Sequence, residues 1–189
     1  MKNKTAENTK NSQLDWLEFA LDVLIKKGPD SLKITPLCDL KGVTKGSFYH
    51  HFKNRTAFID TLMNHWYQRM TVDFIDQANS AASPMERLNK LDQVIAGQNI
   101  EAEMHIRAWA LKEQSIATHL AKIDQQRQDY LASCYLELGL EEQAAKDIAL
   151  MAYANFLGMQ QIYPRPSIET VLRVTALASS TFLPMPEDA

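Results

Sequence analysis

Between Lys45 and His51 the chain reads Lys-Gly-Ser-Phe-Tyr-His-His. Lys45, Ser47, Tyr49, His50 and His51 offer an ammonium, a hydroxyl, a phenol and two imidazoles within about two helical turns, and no carboxylate stands among them. Donors of this kind suit phosphate oxygens and the edges of bases. Gly46, near the start of the run, lets backbone N–H groups approach an anion with no side chain in the way.

The other reactive residues do not assemble a familiar catalytic pattern. The five histidines, His50, His51, His65, His105 and His119, form neither His-Glu-x-x-His nor Glu-x-x-His, so the zinc-protease helix and the paired motif of a di-iron bundle are absent. No Gly-x-Gly-x-x-Gly, Gly-x-Ser-x-Gly or phosphate-cradling Gly-Lys-Ser/Thr occurs. Cys38 and Cys134, 96 positions apart, make neither a disulfide framework nor a zinc pair. The sequence therefore implies no enzyme, no cofactor and no metal. A helical metal- or cofactor-binding enzyme bundle is the alternative, and a helical adaptor for an acidic protein is a third reading.

The elements that must position Lys45–His51 are legible from periodicity. Leu14, Leu17, Leu21, Leu24 and Ile25 share one helical face, and Lys26-Lys27-Gly28-Pro29 ends that helix. Thr35-Pro36 predicts a cap and first turn for a short helix, Pro36 to Lys41. Gly42-Val43-Thr44 breaks it, and Thr44 is placed to cap a third helix, Lys45 to His51. Helix, glycine turn and second helix make a helix-turn-helix. Cys38 is small enough for the crossing, Gly42 suits a left-handed turn, and Leu37, Leu40, Val43 and Phe48 are expected to point inward. Pattern alone allows a merely solvated hairpin equally well.

Charge separates those readings. The chain of 189 residues has a formal charge of −3 and is 46% hydrophobic, an ordinary globular composition with enough length for a core. Residues 1–60 hold ten basic and seven acidic side chains, while 61–189 hold ten and sixteen. Within 26–55 seven basic residues face two acidic ones. A basic segment of this kind favours nucleic acid over plain solvation. No charged-then-apolar leader and no long apolar run is present, so a soluble cytoplasmic protein without a membrane partner is expected.

Beyond the hairpin, Asn54 is placed to cap a long helix running to about residue 79, and Asn79 to Pro84 marks a boundary. Further helices are expected over Met85–Gly97, Glu101–Lys112, Ser115–Leu138, Glu141–Ile162 and Ser167–Phe182. The fold class is all-α with about nine helices. The division is a disordered tail at 1–13, a helix-turn-helix domain at 14–53, a connecting helix at 54–82 and a helical-bundle domain at 83–189.

Residues 14–63 resemble the DNA-binding domain of the TetR family of bacterial repressors. The likeness rests on Lys27-Gly28 ending the first helix, on Ile34 before the second, on Asn54-Arg55, and on the ungapped run from Gly42 to Phe52. Pro29 stands where the family usually has an aromatic, Cys38 where it has Ala, and Arg55-Thr56 where Lys-Glu is common. The resemblance implies a ligand-responsive homodimeric repressor on a near-palindromic operator, released by a small-molecule effector. By position, Lys45 and Ser47 would face bases and nearby phosphates, Tyr49 and His51 phosphates, and Thr35 and Arg55 would clamp the backbone. Gly46 would share in base choice, and His50 either joins them or faces solvent.

The last hundred residues carry weaker signals. Trp66, Met70, His105, Trp109, Tyr130, Cys134, Met151 and Asn155 are the candidates to line an effector pocket, with simple core packing as the other reading. Glu103, His105 and Arg107 cannot all face inward from one short helix, and His105 with Trp109 is the pair favoured for the pocket. Small residues Ala145, Ala149, Ala152 and Gly158, with Val171, Leu172, Thr175 and Phe182, either form a four-helix dimer interface or close the chain's own core. The family resemblance favours the interface.

Overall fold

The computed structural model of the chain describes residues 12–182, with side chains through residue 177. Most of the tail expected at 1–13 thus lies outside the described residues. Its last two do not: Ser12 caps helix α1 (Gln13–Lys27), its hydroxyl accepting from the Asp15 amide at 3.1 Å. A single 3-10 turn (Pro29–Leu32) follows and buries Leu32. Then come α2 (Ile34–Lys41), α3 (Lys45–His51) and α4 (Arg55–Tyr67). A π-helical stretch (Gln68–Val72) joins α4 to α5 (Asp73–Ala78). The chain continues as α6 (Pro84–Ala96), α7 (Glu101–Ala110), α8 (Gln114–Glu137), α9 (Glu142–Gln161) and α10 (Ile168–Phe182). With α4, the π stretch and α5 taken as one, the described residues form nine helices and no strand.

Several helix ends are set by local capping chemistry. Asn54 caps α4 by accepting from the Ala57 amide at 2.8 Å. Ser83 and Glu86 form a reciprocal capping box at the start of α6. Gly139 ends α8 at φ 91°. The start of α2 differs from the expectation. Lys33 is extended and its carbonyl accepts from the Leu37 amide at 3.0 Å, so Lys33 is the cap and Thr35 sits in the first turn. Thr44 does precede α3, but its side chain makes no capping bond.

Packing gathers the described residues into two units that interleave in sequence: 12–70 with 99–120, and 71–98 with 121–182. The first holds α1 to α4, α7 and the opening of α8. Its core is aromatic around α3. Phe48 is fully buried, with ring centroids 5.6 Å from Trp16, 5.2 Å from Phe52 and 5.3 Å from Phe58. Leu37 and Cys38 are buried as expected, whereas Leu40 is exposed. The inward place on α2 goes to Lys41 instead. Its ammonium meets Asp15 at 2.7 Å and lies over the rings of Trp16 and Phe19.

In the second unit a cluster of Leu88, Ala132, Cys134, Tyr135, Ala145 and Ala149 forms a buried core. Asp92 lies one turn beyond Leu88 on α6. Burial pushes its carboxyl from 3.8 up to about 6. The folded form therefore binds a proton more tightly than the unfolded chain, so stability rises as pH falls from about 7 toward 4. The gain has a ceiling of about 3 kcal/mol. Asp92→Asn is expected to raise the melting temperature at pH 7 and to flatten the slope between pH 4.5 and 7. Parallel slopes for wild type and variant would show that Asp92 is not the group responsible.

Candidate nucleic-acid interface

α2 and α3 meet through a turn that the sequence specifies directly. Gly42 closes α2 at φ 71° and ψ 35°, a left-handed conformation costly for a residue with a Cβ. The amide of Val43 donates to the Cys38 carbonyl at 3.1 Å, which fixes the direction in which α3 leaves. At the far end, the Gln13 side-chain amide donates to the His51 carbonyl at 3.3 Å.

With Phe48 locked inside, the rest of α3 is turned outward. Lys45, Gly46, Tyr49 and His50 are exposed, and Ser47 and His51 are half-buried. Tyr49 keeps 53% of its surface open to water while its ring packs edge-on against Phe48. A buried anchor thus fixes where the phenol points. The His50 and His51 rings lie 4.9 Å apart, edge to face. A Cβ at Gly46 would meet only the Thr44 hydroxyl at 3.5 Å, an ordinary contact. The fold itself does not require glycine there, which leaves close approach of an outside group as a use for it. Thr35 is exposed in the first turn of α2, beside amides that have no partner within the helix.

Arg55 is placed otherwise than expected. Its guanidinium is engaged by Glu113, with Nη1 3.1 Å from Oε1 and Nη2 3.2 Å from Oε2. Glu113 also accepts from Trp109 Nε1 at 2.9 Å and from the Ser115 hydroxyl at 3.2 Å. The Arg55 guanidinium, first among these, holds the Glu113 carboxyl below the ordinary glutamate value. His119 and Asp60 pair nearby at 3.0 Å, and His65 joins Glu18 at 2.7 Å. No sequence spacing announces these pairs, because their members are 47 to 59 positions apart.

The effector candidates fall in both units: Trp66, Met70, His105 and Trp109 in the first, and Tyr130, Cys134, Met151 and Asn155 in the second. On α7 the buried residues are Ala102, Glu103, Ile106 and Trp109, and His105 is not among them. Glu103 is 2% exposed and pairs with Arg107 at 2.7 Å, while His105 is only half-buried. Cys134 is fully enclosed by its own core, and burial pushes its thiol up. Tyr130 donates to the Asn79 side chain at 3.0 Å, and Asn155 to the Thr175 hydroxyl at 3.4 Å. Met151 faces solvent. The sequence also concealed a polar network in the second unit. Arg127 donates from Nε to the buried Thr71 hydroxyl at 2.9 Å and from Nη1 to Tyr153 at 3.2 Å, and Tyr153 donates to Asp124 at 2.7 Å.

The small residues of α9 divide between two faces. Ala145 and Ala149 point into the core of their own chain, so they are not available to a second copy. Ala152 is half-buried and Gly158 exposed, with nothing within 4 Å of a Cβ built there. Leu150, Met151 and Ala154 share that outward side. On α10, Val171, Leu172 and Thr175 are half-buried. The side chain of Phe182 lies outside the described residues. Among the described residues no helix is long and apolar enough to cross a membrane.

A buried aromatic anchor, a glycine turn and an outward polar helix without carboxylates define a helix-turn-helix module. Residues 17–62 match the family described as "Bacterial regulatory proteins, tetR family". The likeness to that family of regulatory proteins lies in this segment, from α1 into α4. The HTH-type transcriptional repressor KstR2 of Mycobacterium tuberculosis is 26% identical over 119 residues, which cover 63% of this chain and 58% of KstR2. The crystal structure of reduced Escherichia coli NemR matches the fold with a TM-score of 0.77 at 17% identity, covering 92% of this chain and 98% of that one. A putative TetR-family regulator from Rhodococcus sp. gives 0.76 at 17% identity, covering 91% and 98%.

Proposed function

We propose that this chain is a ligand-responsive repressor that binds a near-palindromic operator as a homodimer and is released by a small-molecule effector. The observation that carries the reading is the outward face of α3. Lys45 and Tyr49 are exposed on a helix that Phe48 anchors to the core. Lys45, Ser47 and the Gly46 backbone read base edges and adjacent phosphates. Tyr49, His51 and the first turn of α2 at Thr35 hold the backbone, and His50 lies beside them on the exposed side.

Functionally, 14–53 is the reading head, 54–82 the connecting helix and 83–189 the effector and dimer domain. Dimerisation would use the outward side of α9, at Leu150, Met151, Ala154 and Gly158, with α10. An effector that prefers a form with the two heads wrongly spaced lowers operator affinity by the ratio of its affinities for the two forms. Such a protein works in the cytoplasm, where the DNA is.

The test is selection of bound duplexes from a random pool. The expected product is an inverted repeat with half-site centres about 34 Å apart, or a multiple of that. Enrichment of a lone half-site would remove the dimer from the reading. Recovery of no preferred sequence would remove the operator.

A further inference from the structure

Glu113, in the turn between α7 and α8, is held from two directions. Trp109 and Ser115 donate to it from its own segment, at 2.9 and 3.2 Å, and Arg55 donates both of its terminal nitrogens from the start of α4. Without the arginine the carboxylate would keep two of its donors and its position. Arg55 is less well satisfied. Its Nε–H is buried with no hydrogen-bond partner, while 36% of the side chain remains open to water. The carboxylate is thus the fixed half of the pair, and the guanidinium is the half with an unmet donor and a way out.

Arg55 also stands where DNA would be met. It is the first residue of α4, four positions after the end of α3. A phosphate offers a guanidinium the same two-oxygen face that a carboxylate does. We propose that Glu113 is an internal phosphate mimic, which holds Arg55 in the DNA-free protein and competes with an operator phosphate for it. The inference rests on the DNA-binding reading above and adds to it a regulated contact. Because Trp109 shares the same carboxylate, a ligand or conformational change that displaced Trp109 would alter the grip on Arg55, and so couple α7 to the contact strength of the head.

A double-mutant cycle on the full chain tests this, with binding of the selected operator duplex followed by fluorescence anisotropy across a salt series. Glu113→Gln, which retains an oxygen for Trp109, is expected to tighten binding about five- to tenfold, the scale of a half-exposed ion pair counted once per protomer. Arg55→Gln is expected to weaken binding and to make the slope of log K against log salt shallower by about 0.9 per protomer. In the Arg55→Gln background, Glu113→Gln should change affinity less than about twofold.

Equal tightening in both backgrounds would show that Glu113 acts only as a general negative charge, and the exchange would be overturned. So would an unchanged salt slope in Arg55→Gln. If Arg55→Gln melts early, Arg55→Lys replaces it. That variant keeps the charge and loses the fork, so its salt slope should stay while the gain from Glu113→Gln shrinks. Lys45→Ala, measured alongside, keeps the two readings apart. Weakening by Lys45→Ala but not by Arg55→Gln defeats the exchange and leaves the proposed docking standing, whereas weakening by neither defeats docking through α3 itself.

Discussion

Replacing Lys45 by alanine is expected to reduce affinity for the selected operator on the order of a hundredfold or more. A good side-chain contact to a base edge contributes about 1–3 kcal/mol, and a homodimer loses it in both half-sites. Lys45 is exposed at the first position of α3. Its loss should therefore do two things: relax preference at one base position of each half-site, and make the salt dependence shallower by about 0.9 for each phosphate it neutralises. Tyr49→Ala should behave differently. On the proposed docking Tyr49 meets the DNA backbone through a hydroxyl and neutralises no phosphate, so affinity should fall about tenfold for every sequence alike, consistent with roughly 0.5–1.5 kcal/mol per hydrogen bond, with the salt slope unchanged. Tyr49→Phe separates the hydroxyl from the ring that packs on Phe48. Unchanged operator affinity for Tyr49→Ala at moderate salt would mean that α3 does not dock by this face.

Phe48→Ala should be the most damaging single change to the head. The ring is fully buried and touches the rings of Trp16, Phe52 and Phe58. Truncations of this kind cost about 3–5 kcal/mol, and the edge-on aromatic pairs add to that loss. α3 has only seven residues, far too few to remain helical without tertiary support. The variant is expected to lose operator binding along with stability, visible as an early urea transition in tryptophan fluorescence, since Trp16 lies against the removed ring. Phe48→Leu should recover part of both. Near-native stability in Phe48→Ala would show that the aromatic cluster is not what holds the reading helix.

Much of this molecule was written locally. The extent of α3, the Asn54 cap, the glycine turn at Gly42, the end of α8 at Gly139 and the all-helical class follow from groups a few residues apart. Capping bonds, left-handed glycines and the 3.6-residue repeat all act at that range. Where α2 begins was less legible. Thr35-Pro36 is a strong local signal, yet the preceding 3-10 turn delivers Lys33 in extended form and the helix starts earlier. Leu40 was misplaced for a related reason. On an eight-residue helix several faces fit an apolar pattern, and the pairing of Lys41 with Asp15 and two rings decides which one turns in.

The sequence by itself carried the resemblance to the TetR family, the helix α3 and the identity of its outward groups, because the run from Gly42 to Phe52 is contiguous and its chemistry is local. The tertiary structure decided the rest. It returned residues 99–120 to the first unit, gave Arg55 to a carboxylate 58 positions away, turned Glu103 inward in place of His105, and sent Ala145 and Ala149 into the chain's own core rather than toward a partner. Each of these turns on which helices lie side by side. Helical periodicity tells which residues share a face but not what that face meets. That choice is made by burial and charge pairing summed over the whole fold.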